Sequence, residues 1–141
     1  MFEKDFITLY DLVGQMAQAH KEKLFSEHEL SQVTIRQVYY LKCIRRLGTP
    51  TLSELAHCVQ ITKPSVTAIV QHLLDLGYIE KQQSHADLRV FRVKLTPRGE
   101  RLARVDEEAM LEFCSQARSV LSEAEADEFS FLLARLVVSL K

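Results

Sequence analysis

Residues 49–78 read "TPTLSELAHCVQITKPSVTAIVQHLLDLGY", and this stretch decides the fold. Thr51 and Glu54 have the spacing at which a hydroxyl and a carboxylate satisfy each other's backbone donors at a helix start, with Leu52, Leu55 and Ala56 facing inward. Val59, Gln60 and Ile61 turn the chain. Thr62 then caps a second helix, Pro64 sits in its first turn where a missing N–H is cheap, and Gly77 stops it. Along that helix Val66, Ile69, Val70, Leu73 and Leu74 share one apolar face. Thr62, at its start, and Lys63, Ser65, Thr67, Ala68, Gln71 and His72 lie on or near the opposite face. These residues are short or polar, with no acid before Asp75, so they suit an approach to base edges and phosphates.

The segment beyond the second helix completes the motif. "YIEKQQ" and "RVFRVKLT" read as two strands, Phe91, Val93 and Leu95 alternating with Arg92 and Lys94, and "SHAD" turns between them. A hairpin directly after a helix-turn-helix is a wing. Arg89, near its tip, suits a narrow, electronegative minor groove, and Asp87 two residues earlier is expected to aim it. Residues 81–104 carry seven Lys/Arg against two acids, a net of +5, whereas residues 105–141 carry three against eight, a net of −5. The formal total of −1 therefore hides one basic segment suited to a polyanion.

Helices flank this lobe on both sides. Phe2, Phe6, Leu9, Val13 and Met16 recur at helical spacing; Thr34 with Gln37 caps a helix buried through Val38, Leu41 and Ile44 and ended by Gly48. Thr96-Pro97 starts a long helix reaching about residue 117. Ser122 with Glu125 opens another, apolar at Phe129, Leu132, Leu133, Leu136, Val137 and Leu140. One small domain would struggle to cover all these stripes, and a second copy would cover them. The expectation is thus a mainly α chain with a small β-wing. Residues 34–96 form a winged helix-turn-helix DNA-binding lobe, and residues 1–25 and 97–141 form dimerisation helices, all within a single domain of 141 residues.

The stretches "TIRQVYYL", "TLSELAHCVQITKPSVTAIVQHLLDLGYIEK" and "ADLRVFRVKLTPRGE" resemble the MarR-type winged helix-turn-helix transcriptional regulators, most specifically in Asp87-x-Arg89 followed by "LTPRGE". The resemblance implies a homodimer with intertwined terminal helices, each recognition helix in a major groove of double-stranded DNA and each wing in the neighbouring minor groove of an inverted-repeat operator. It implies a repressor released by a small aromatic or anionic effector, a metal ion or an oxidant. By the family's usual pocket, an effector would lie near Met16, His20, Tyr39, Cys43 and Arg46, with Arg46 its anion-holding fork.

Other classes are weaker. Four glycines, no phosphate loop and no nucleophile elbow argue against an enzyme. His20, Glu27, His28 and Glu29 follow no tight ligand spacing, so neither a metal site nor a cofactor is expected. Cys43, Cys58 and Cys114 form no CxxC pair, and cysteines near apolar positions are usually small core residues. The family's peroxide sensors often use a cysteine near the N-terminus, and this chain has none before Cys43. A redox- or metal-responsive regulator and a winged-helix protein-docking module stay open as alternatives. No apolar run approaches the roughly 18 residues of a membrane helix, and "MFEKDFITLYDL" lacks a secretory start, so the cytoplasm is the expected compartment.

Overall fold

The computed structural model describes all 141 residues. In chain order the elements are α1 (Phe2–Leu24), α2 (Glu27–Ser31), α3 (Ile35–Leu47), α4 (Leu52–Val59), α5 (Lys63–Asp75), β1 (Ile79–Gln83), β2 (Phe91–Leu95), α6 (Pro97–Val120) and α7 (Glu123–Ser139). The fold is mainly α with a two-stranded wing. Its residues fall into two compact units, Met1–Gln18 with Glu107–Lys141 and the continuous Ala19–Asp106. The division lies inside α1 and α6 rather than at the expected lobe borders of 34 and 96, because the winged lobe also draws on Phe25, Leu102, Ala103 and Val105 for its core.

Local capping chemistry sets most helix starts. Thr34 with Gln37, Thr51 with Glu54 and Ser122 with Glu125 all close as reciprocal boxes. A fourth box, Ser26 with Glu29, opens the five-residue α2, which periodicity does not reveal. Thr62 accepts from the Ser65 backbone N–H at the start of α5, and Pro64 fills the first turn. Gly48 (φ 83°) and Gly77 (φ 75°) stand at left-handed positions after α3 and α5, while Gln60 (φ 55°) makes the same turn after α4 without a glycine's freedom. The long helix from Pro97 runs three residues further than the expected end at 117.

The Ala19–Asp106 unit has a true core. Leu41 and Ile44 of α3, Leu55 of α4, and Val66, Val70 and Leu73 of α5 are buried together with Tyr78, Ile79 and Val93 of the wing base. The wing is antiparallel, pairing Ile79 with Leu95 through Gln83 with Phe91, so Val93 falls on the core face. Thr51 adds a single bridge to Arg92, and the Val93 N–H donates to the Pro50 carbonyl (2.9 Å), so the segment before α4 extends the hairpin's edge. Asp106 accepts from Lys21 (3.0 Å) and Lys42; burial alone would raise its carboxyl, and these two ammonium donors outweigh that and hold it low.

The unit of Met1–Gln18 and Glu107–Lys141 is different: neither α1 nor α7 buries a residue. Phe2, Phe6, Tyr10, Phe131, Val138 and Leu140 are all more than half exposed. Leu9, Met16, Phe113, Val120, Leu121 and Phe129 line a largely apolar cavity of about 430 Å³.

The capping boxes carry a pH signature. Glu29, Glu54 and Glu125 are held below the ordinary carboxylate value of 4.5, first by the backbone N–H of the cap residue each one faces. A carboxyl depressed in the folded state contributes stability above its unfolded value and loses it as pH falls through the folded one. Urea midpoints should therefore decline as pH drops below 4.5, and Glu54→Gln should show a shallower decline than the parent. Equal slopes would mean that the Thr51 box adds nothing in solution.

Candidate nucleic-acid interface

Helix α5 presents the residues expected to read DNA. Thr62, Lys63, Ser65, Thr67 and Ala68 are exposed, while Val66, Val70 and Leu73 hold the helix to the core. Several of the polar groups already have local partners. Thr62 and Ser65 share a hydroxyl contact (2.8 Å), the Thr67 hydroxyl donates to the Lys63 carbonyl (2.9 Å), and the Gln71 amide donates to Asp75 one turn on (2.9 Å). A ring nitrogen of His72 lies 3.2 Å from the Gln32 carbonyl, so that ring N–H is turned to the segment before α3.

The wing supplies the second half. Residues 84–90 form the loop beyond β1, shorter strands than expected leaving Arg89 and Val90 outside β2. The Asp87 carboxylate accepts from the Arg89 backbone N–H (2.9 Å), and the Ser84 hydroxyl accepts from the Asp87 N–H (3.3 Å). Asp87 thus holds the Arg89 main chain and not its guanidinium, two residues of separation suiting an Asx turn. A cleft of about 320 Å³ joins this loop to α5: Arg89, Val90 and Phe91 on one side, Lys63 at the helix start, and Thr51 and Ser53 by α4. Two cations and two hydroxyls bordering one cleft are the donor set a phosphate backbone uses.

Not all of the basic cluster is available to a polyanion. Arg92 donates to the Thr49 carbonyl (2.9 Å) and pairs with Glu54 (3.3 Å), tying β2 to the start of α4. Arg98 pairs with Glu29 (2.9 Å), donates to the Leu76 carbonyl (2.9 Å) and lies over the Tyr78 ring at 4.6 Å. Their partners lie far away in sequence, so counting charge along the chain could not separate these structural arginines from Arg89. Thr51 and Ser53 were missed for the same reason: only the bridge of Thr51 to Arg92 brings the α4 start to the wing.

The residues expected around an effector fall into both units. Met16 lines the apolar cavity of the first. His20, Tyr39, Cys43 and Arg46 belong to the second, where Arg46 meets a residue not expected there, Cys58. The Arg46 guanidinium donates to the Cys58 sulfur at 3.0 Å. Burial first, then the Cys58 contact, pushes the Cys43 thiol up; the Cys43 contact likewise raises the Tyr39 phenol.

The MarR family model matches residues 33–91, from the approach to α3 through the wing loop into β2. The family is one of DNA-binding transcription regulators, and the matched segment contains both α5 and the loop bearing Asp87 and Arg89. Solved structures are similar over nearly the whole chain. A variant of S. aureus MepR bound to an oligodeoxyribonucleotide is 22% identical with a TM-score of 0.69, over 100% of this chain and 99% of that one. FabT of Streptococcus pneumoniae in complex with DNA is 20% identical with a TM-score of 0.67, over 99% and 97%. S. aureus MepR bound to ethidium bromide is 22% identical with a TM-score of 0.75, over 100% and 97%. At these identities the likeness is one of fold, a winged helix-turn-helix with flanking helices.

Proposed function

We propose that this chain is a sequence-specific, homodimeric DNA-binding repressor that occupies an inverted-repeat operator and is released by a small-molecule signal. The observation that carries the reading is the cleft in which Lys63 of α5 and Arg89 of the wing come together with the Thr51 and Ser53 hydroxyls. In it α5 would take the major groove, Thr67, Ala68 and Gln71 toward base edges, and Arg89 the adjoining minor groove. Gln71 and His72 would have to exchange Asp75 and the Gln32 carbonyl for DNA partners.

Dimerisation rests on the apolar residues of α1 and α7, exposed in a single chain and sufficient in number to need a cover. Two-fold pairing would place two readers on half-sites about 10 bp, or a multiple, apart. The release signal rests on the aromatic-lined cavity around Met16, which suits an aromatic effector, and on Arg46, which suits an anionic one. Repression would follow from occupying a promoter. A cytoplasmic location goes with such a role, and no helix is long and apolar enough to cross a membrane.

The test is binding to duplex fragments from the chain's own promoter region, at two salt concentrations. Lys63→Ala should weaken all sequences alike and flatten the logarithmic salt slope by about one unit. Gln71→Ala should instead alter base preference at one operator position, by about 1–3 kcal/mol. If neither variant changes binding to any duplex, α5 is no reader, and the winged-helix docking alternative takes its place.

A further inference from the structure

The tip of the wing is a single closed turn. The Val90 N–H donates to the Asp87 carbonyl (3.1 Å), which makes residues 87–90 a hydrogen-bonded β-turn with Leu88 and Arg89 at its two corners. Neither corner residue has a positive φ, so the turn is type I, the form that suits an aspartate at its first position. The rest of the loop is tied as firmly. The Asp87 carboxylate accepts from the Arg89 N–H (2.9 Å), the Ser84 N–H donates to the Val90 carbonyl (3.1 Å), and the Gln83 side-chain amide donates to the Leu88 carbonyl.

A backbone held on both sides thus presents two exposed side chains of opposite kind, an isobutyl group and a cation. Leu88 is 76% exposed, and Val90, on the other side of Arg89, is 39% exposed. Single apolar residues on a surface are ordinary. A leucine fixed at the corner of a closed turn, next in sequence to the cation that borders the cleft with Lys63, stands where a duplex would meet it.

We propose that Leu88 enters the minor groove beside Arg89 and makes the wing select against guanine. The inference rests on the DNA-binding reading and sharpens it. The floor of the minor groove carries acceptors alone at A·T and T·A pairs, adenine N3 and thymine O2, whereas a G·C pair adds the N2 amino donor of guanine. Arg89 uses the acceptors. Leu88 offers hydrocarbon: at an A·T pair its methyl groups lie along the deoxyribose walls, which a narrow groove brings close. At a G·C pair they would cover the N2 amino group, strip it of water and give it no acceptor. Arg89 therefore favours a narrow groove by charge, and Leu88 rejects one amino group by leaving it unpaired.

The experiment uses the full chain and the duplex from its own promoter region that it binds. Adenines are replaced one at a time by 2,6-diaminopurine, which adds the N2 amino group to an A·T pair and leaves unchanged the major-groove edge that α5 would face. At the pairs beneath the wing the parent should bind about tenfold more weakly, and inosine in place of a guanine there, which removes the amino group, should tighten binding. Leu88→Ala should reduce the diaminopurine penalty to about twofold, because the smaller side chain leaves the amino group open to water. Leu88→Asn, whose side-chain oxygen can accept from that group, should bind both duplexes alike, and Leu88→Met, equally apolar, should keep the parent's pattern. Urea midpoints of all three should match the parent's, since the side chain is exposed. A full penalty retained by Leu88→Ala, or a parent indifferent to both base substitutions, would overturn the inference and leave the preference to Arg89 and groove width. A chain that binds no duplex at all would strike the function proposed above, and this inference with it.

Discussion

Replacing Gly99 with alanine should destabilise the winged lobe by on the order of 3 kcal/mol, the largest stability loss expected from adding a single methyl group to this chain. A Cβ at residue 99 would stand 1.9 Å from the Tyr78 carbonyl oxygen and 2.9 Å from its carbon. Both are backbone atoms, so no rotamer change can make room. The Tyr78 carbonyl is already engaged by the Thr96 N–H (3.1 Å), and the Thr96 hydroxyl donates to the Gly77 carbonyl (2.7 Å) while accepting from the Gly99 N–H (3.1 Å). Relief would require the first turn of α6 to lift off the wing base and break this set. Gly77→Ala is the informative contrast: its Cβ would meet only the Arg98 side chain at 4.0 Å, an ordinary contact, and its left-handed φ of 75° sets an expected cost of about 1 kcal/mol. Urea unfolding of both variants separates the cases. A Gly99→Ala loss no greater than that of Gly77→Ala would show that α6 does not seat against Tyr78.

The same junction shows what could be read from residues and what could not. "LTPRGE" stood out as a motif, yet its meaning lies in the contacts that each position makes across the start of α6: Thr96 closes the turn, Pro97 begins the helix, Arg98 reaches back to Leu76 and Glu29, and Gly99 allows the approach. The helix starts were legible because a capping box is local, its two halves three residues apart, and the apolar face of α5 was legible from period alone. Helix α2 was missed although Ser26 and Glu29 have that same spacing, since five residues carry no periodic stripe. The wing register was within reach, because Val93 must face inward for Arg92 and Lys94 to face out. Tertiary pairing was not. Nothing in the order of the arginines distinguishes Arg89, left exposed in a loop, from Arg92, clamped to a residue 38 positions earlier. Cys43 and Cys58 looked like two separate core cysteines because only the packing of α3 and α4 brings them to one core.

That distinction between arginines leads to the largest functional effect expected. Arg89→Ala should lower operator affinity by about 1–3 kcal/mol, roughly 5- to 150-fold, with unfolding free energy changed by less than about 0.5 kcal/mol. The residue is exposed, its main chain is held by Asp87, and its guanidinium borders the cleft with Lys63, so truncation removes a charged donor and no packing. Arg89→Lys should recover only part of the loss, because a narrow minor groove favours the flat, weakly hydrated guanidinium over an ammonium. Asp87→Ala should weaken binding less than Arg89→Ala, since it loosens the loop and leaves the cation in place. Arg92→Ala should do the reverse of Arg89→Ala: it frees the Thr49 carbonyl and Glu54, and so lowers stability by about 1 kcal/mol with little change in operator affinity. Measuring both variants by anisotropy on one operator, and by urea unfolding, sets the two arginines apart. If affinity follows Arg92 rather than Arg89, the wing meets DNA through its β2 face, and the loop cannot be the minor-groove element.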